Sequence, residues 1–81
     1  MSVFDEVTEI VRSVLRLPPE ALAGGRETPL LGALPEFDSL SVAELIAALE
    51  AHFGVRLDDV DAETFETLGT LADHVGALLE D

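Results

Sequence analysis

The 81-residue sequence predicts an all-α domain, a small four-helix bundle with three long helices and one short one. Three observations lead there. Apolar residues recur at i, i+3, i+4 and i+7 in three separate stretches, the spacing of helices with one buried face. Proline and glycine cluster between the first two stretches instead of inside them. No run of residues alternates in the way a half-buried strand requires.

The first helix is expected from about Val3 to Arg16, with Val3, Val7, Ile10, Val11, Val14 and Leu15 on its buried face. Ser2 followed by Asp5 has the form of a capping box with Asp in place of Glu. Arg12 and Arg16 fall near the C-terminal end, where the helix dipole favours cations. Leu17-Pro18-Pro19 ends the helix, since proline lacks a donor and restricts the residue before it. A connection of unusual length follows, from about Pro18 to Asp38. It contains Pro18, Pro19, Gly24, Gly25, Pro29, Gly32 and Pro35, with room for one helical turn between Glu20 and Ala23. So long a loop in so small a domain is often functional. Leu30, Leu31, Leu34 and Phe37 are expected to pin it to the core.

The second helix is expected from about Ser39 to Phe53, with a stripe of Val42, Leu45, Ile46, Leu49 and Phe53 and a stop at Gly54. Asp38 and Ser39 both qualify as its N-cap, and Ser41 with Glu44 offers a competing capping box. The following stretch is short and acidic. There Asp61 is expected to cap a short helix reaching Phe65, whose ring faces inward. The last helix follows Thr67 and runs to about Glu80, burying Leu68, Leu71, Ala72, Val75, Leu78 and Leu79. Gly69 and Gly76 lower its propensity by about 1 kcal/mol each relative to alanine.

Composition narrows the function. One domain spans residues 1–81, and a chain this short buries only about 60% of its unfolded surface, which leaves little room for a deep catalytic cavity. A mean hydropathy of +0.34 argues for a folded chain. Seventeen acidic residues face four arginines, Arg12, Arg16, Arg26 and Arg56, for a formal net charge of −13. Such a charge repels nucleic acid and anionic membranes and attracts partners with basic patches. No apolar run reaches the roughly 20 residues of a membrane span, and the N-terminus lacks a basic signal region. A cytoplasmic monomer is therefore expected. Cysteine is absent, which removes disulfides and thiolate chemistry.

The remaining chemistry is sparse. His52 and His74 are the only histidines and do not define a metal site. Asp58, Asp59, Asp61 and Glu63 lack the spacing and glycine of an EF-hand loop. No Gly-x-Ser-x-Gly elbow supports a hydrolase reading of Ser39. The expectation is of a protein that is not an enzyme, with no metal and no catalytic residue.

Asp38-Ser39-Leu40 stands out because it opens the second helix behind the long loop. Unpaired N–H groups and the dipole at a helix start favour a phosphate ester there. The segment Thr28-Pro29-Leu30-Leu31-Gly32 to Asp38-Ser39-Leu40, then Glu44-Leu45, Ala48-Leu49-Glu50, Phe53-Gly54 and the tail Ala62 to Leu68, resembles the acyl carrier protein family over almost the whole chain. The resemblance implies a 4′-phosphopantetheine arm, donated by coenzyme A, on Ser39, with Asp38 the acid beside it. It implies that Leu40, Glu44 and Glu50 meet partner enzymes. These partners are a phosphopantetheinyl transferase, an acyl-loading ligase or synthase, and acyl-transferring enzymes. It implies that Leu45, Ile46, Leu49, Phe53, Phe65, Leu68 and Val75 line the interior that sheathes an acyl chain in some members.

Departures from the fatty-acid-synthesis pattern are Ser41, Ala51 and His52 where acids are usual, Ala47 where a larger apolar residue is usual, and Leu34-Pro35-Glu36-Phe37 in the loop. They bring the chain nearer the discrete carriers found beside bacterial exopolysaccharide and exosortase systems. Two other readings stay open at this point, an aminoacyl or peptidyl carrier and an acidic helical adaptor for a basic partner.

Overall fold

The computed structural model describes residues 2–30, 38–58 and 60–80. Helix α1 runs Val3–Leu15, α2 Ser39–Phe53 and α3 Leu68–Leu79, with short 3-10 turns at Pro19–Leu22 and Gly25–Glu27. α1 packs against both α2 and α3, and the second 3-10 turn packs on α3. The molecule measures 32 × 26 × 20 Å.

Each helix starts at a side-chain cap. The Ser2 hydroxyl accepts from the Asp5 N–H at 3.1 Å, which is the Ser2 half of the expected capping box. α1 closes one residue earlier than expected. Arg16 adopts a left-handed conformation (φ 56°), its N–H reaching Ser13 C=O while the Leu17 N–H reaches Arg12 C=O at 2.9 Å. This paired closure turns Leu17 back into the core, where it is buried. At α2, Gly54 takes the left-handed position (φ 68°) and donates to Glu50 C=O. α3 opens on a reciprocal capping box between Thr67 and Thr70.

The core is built by the expected stripes. Val7, Val11 and Leu15 of α1 are buried against Leu45 and Leu49 of α2 and Leu68, Leu71, Ala72 and Val75 of α3. Each fully buried leucine or valine contributes about 1.5–3 kcal/mol relative to an exposed one. Val3, Ile10, Val14, Val42, Ile46, Phe53 and Leu78 are half-buried at its edge. Leu79 departs from expectation. It is the last residue of α3 and is 39% exposed.

The long connection is seated at one place the sequence did not announce. The Leu68 N–H donates to Thr28 C=O at 2.9 Å and the Leu30 N–H donates to Glu66 C=O at 3.0 Å. Pro29 and Thr67 thus form an isolated antiparallel bridge, and Leu30 is fully buried beneath it. Arg26 adds a second tie, pairing with Asp73 of α3 at 2.6 Å while its guanidinium lies 5.9 Å from the centre of the Phe4 ring. The expected contributions of Leu31, Leu34 and Phe37 lie outside the described residues.

Between Asp61 and Glu66 the chain makes successive i→i+3 hydrogen bonds, and the Asp61 carboxylate accepts from the Thr64 N–H at 3.1 Å. This is a run of turns where a short helix was expected. Glu66 C=O is taken by Leu30 and Thr67 must be extended (φ −134°) to cap α3, so the run cannot lengthen. Phe65 faces inward and is buried, as expected.

Gly69 and Gly76 test this packing. A Cβ on Gly69 would lie 2.8 Å from Arg26 C=O, whereas one on Gly76 meets nothing within 4 Å. Gly69→Ala is expected to destabilise by about 1–3 kcal/mol through overpacking. Gly76→Ala is expected to stabilise by up to about 1 kcal/mol through helix propensity. Urea unfolding of the two variants measures both signs.

Candidate functional site

The site is built on the first turn of α2. Asp38 is extended (φ −106°, ψ −175°) and Ser39 is the first helical residue. The Asp38 carboxylate accepts from the Ser41 N–H at 2.9 Å, and Asp38 C=O accepts from the Val42 N–H at 2.9 Å. This settles the competing caps: Asp38 is the N-cap, and Ser41 follows inside the helix. Hydrogen bonding from Ser41, through its backbone and then its side chain, holds the Asp38 carboxyl below its ordinary range. The helix start therefore already holds one carboxylate. A phosphate on Ser39 would sit beside that anion and would not have the helix N-terminus to itself.

Asp38, Ser39 and Leu40 are all exposed, and Leu40 is 71% exposed. An exposed leucine beside an exposed serine is the opposite of core packing, because α2 turns its buried face through Leu45 and Leu49 instead. The exposed positions Leu40, Ala43, Glu44, Ala47 and Ala51 continue along the outer face of α2. Glu44 is exposed there. Glu50 is half-buried, and its carboxylate accepts from the Leu57 N–H at 2.7 Å, so it anchors the segment after α2.

The residues named for an acyl interior gather in the core. Leu45, Leu49, Leu68 and Val75 are fully buried, Phe65 is buried, and Ile46 and Phe53 are half-buried. They share one packed cluster. An open surface groove is lined by Asp61, Glu63, Thr64, Thr70, Asp73 and His74. Its lining is polar. Arg26 donates to Asp73 and holds that carboxyl below its ordinary range. No group of residues able to hold a metal ion occurs among the described residues, and no helix among them is long and apolar enough to cross a membrane.

Three tertiary contacts escaped the sequence reading: Glu50 to Leu57, Arg26 to Asp73, and His52 to Glu6 at 2.9 Å. The last two join residues 46 or more positions apart, and no local pattern marks them.

An exposed serine thus opens a capped helix on a small acidic helical domain. The model of the phosphopantetheine attachment site family matches residues 5–75. An acyl carrier protein from Wolinella succinogenes is 34% identical over 76 residues, 93% of this chain and 95% of that protein. One from Campylobacter fetus is 35% identical over 78 residues, 96% of this chain and 97% of that protein. The solution structure of a holo acyl carrier protein from Nitrosomonas europaea superposes with a TM-score of 0.84 at 36% identity, covering all of both chains. This chain belongs to the phosphopantetheine attachment site family, and its acyl carrier relatives are carriers and not enzymes.

The cap gives the site a pH signature. A carboxyl held below its ordinary range contributes stability above the ordinary aspartate value of 3.8 and loses it as pH falls through the lowered folded value. Asp38→Ala is expected to lower the unfolding midpoint by a few degrees at neutral pH, and Asp38→Asn to restore most of the loss, since asparagine caps equally well. The gap between wild type and Asp38→Asn is expected to be constant at neutral pH and to change only in acid. Thermal unfolding from pH 7 to pH 3 measures this.

Proposed function

We propose that this chain is an acyl carrier protein in which Ser39 bears the 4′-phosphopantetheine arm. The terminal thiol of the arm holds an acyl group as a thioester and presents it to partner enzymes. The observation that carries this reading is the position of Ser39, exposed at the first residue of α2 within Asp38-Ser39-Leu40, in a chain that the family model matches over residues 5–75. The surroundings fit a flexible arm: the neighbours on either side are exposed, and the hydroxyl lies on the outside of the helix start. Coenzyme A donates the arm and a phosphopantetheinyl transferase installs it. The chain itself supplies the hydroxyl and the docking surface.

Leu40 and Glu44, both exposed on α2, are the residues best placed to meet that transferase, the loading ligase or synthase, and the acyl-transferring enzymes. The net charge of −13 supports electrostatic steering of those partners. Glu50 serves the fold first, through Leu57, and contributes to recognition by its charge alone. Admitting an acyl chain among Leu45, Leu49, Phe65, Leu68 and Val75 requires repacking a close-packed interior. At most a short or medium acyl group is sheathed, and shallowly. The turns at 61–66 hold the place of the short helix in the four-helix arrangement. The protein works as a cytoplasmic monomer, in a fatty acid, polyketide or exopolysaccharide/lipid modification pathway.

Intact-mass measurement after incubation with coenzyme A and a broad-specificity transferase tests the assignment. The wild-type chain is expected to gain one phosphopantetheine and Ser39→Ala none, with its helicity retained. Continued modification of Ser39→Ala would move the attachment elsewhere. An unmodified wild type would favour the adaptor reading.

A further inference from the structure

We propose that residues 24–30 form a strap that opens and recloses over the core as one unit, driven by the buried hydroxyl of Thr28, while the three helices stay packed. Two main-chain hydrogen bonds seat the strap. The Leu30 N–H donates to Glu66 C=O at 3.0 Å, and the Leu68 N–H donates to Thr28 C=O at 2.9 Å. Leu68 is the first residue of α3, so its N–H has no partner within the helix and depends on the strap. Beyond these bonds the strap is held by the buried Leu30 side chain and by the pairing of Arg26 with Asp73. The Arg26 and Asp73 side chains are 55% and 65% exposed, and a pair so exposed adds little.

The closed strap is penalised at its centre. Thr28 is 5% exposed, and its hydroxyl oxygen is buried with no hydrogen-bond partner among the described residues. The packing around the strap is tight. A Cβ on Gly24 would lie 2.9 Å from that oxygen, and a Cβ on Gly69 would lie 2.8 Å from Arg26 C=O. A buried hydroxyl without a partner bears the full penalty of leaving water. Lifting the strap returns it to water and removes that penalty.

The helices have no comparable weakness, since Val7, Val11, Leu45 and Leu49 are fully buried and carry apolar side chains only. Local opening begins where a segment is least secured, which here is the strap. Opening uncovers the seat of Leu30, which belongs to the same apolar cluster as Phe65, Leu68 and Leu71. The strap is then a gate on the interior that works without parting the helices. It belongs to the unmodified chain, so its test is independent of the assignment of Ser39.

Native-state amide hydrogen exchange of the unmodified full-length chain in low urea tests the gate in wild type, Thr28→Val and Thr28→Ser. In wild type, Leu30 and Leu68 are expected to share one opening constant, about tenfold or more above that of Val11 and Leu49. Its urea dependence is expected to be the smaller, because less surface is uncovered. Thr28→Val removes the hydroxyl and keeps the branched shape, so both strap amides are expected to exchange about tenfold more slowly. Val11 and Leu49 slow with them, since global unfolding also hydrates residue 28, and the gap between strap and core is kept. Thr28→Ser keeps the hydroxyl and is expected to slow neither. One opening constant common to strap and core would overturn the proposal, as would unlike constants at Leu30 and Leu68. Strap amides that do not slow in Thr28→Val, or that slow equally in Thr28→Ser, would overturn it as well.

Discussion

The buried stripe of α1 is the constraint on which the rest depends. Val7, Val11 and Leu15 lie between the inner faces of α2 and α3, and α1 packs against both. With so small a core, each of these positions matters more than it would in a larger domain. Because the stripe claims Leu45 and Leu49, it sets the rotation of α2. That rotation in turn carries Leu40, Ala43 and Glu44 outward. The exposure of the serine is thus a consequence of packing on the opposite side of the same helix.

The second constraint is where α2 begins. A helix opening one turn later would have left Ser39 in the loop, and one opening earlier would have drawn it inside. Asp38 decides this by giving its carboxylate to the Ser41 N–H. On the other side of the loop, the bridge between Pro29 and Thr67 and the pairing of Arg26 with Asp73 hold residues 26–30 against the start of α3. Gly69 permits that approach by lacking a Cβ where Arg26 C=O passes.

Much of this was legible in the sequence because it is local. The spacing of Val7, Val11 and Leu15, the stop at Gly54 and the opening of α3 at Thr67 are written in neighbouring residues, and the structure places each where expected. The choice between Asp38 and Ser41 as cap was not legible, since both residue types cap well, and the extended backbone of Asp38 decides it. The tertiary ties were not legible either. Glu50 read as a free acid on a recognition helix, yet a turn seven residues on brings the Leu57 N–H to it. Leu79 read as core from its spacing, but it closes α3 and stays exposed. The short helix expected at Asp61 stays a run of turns closed by i→i+3 bonds, and it ends where Thr67 is extended to cap α3.

The central claim is that the proposed attachment site is preformed: the capped start of α2 presents Ser39 before any arm is added. The most direct measurement is the amide ¹H–¹⁵N spectrum of the labelled chain before and after loading from coenzyme A by a transferase. The account predicts shift changes confined to Asp38 through Glu44 and the residues adjoining them, with Val7, Val11, Leu49 and Val75 unmoved. Changes spread through those core positions would show that the arm remodels the bundle, and would contradict it.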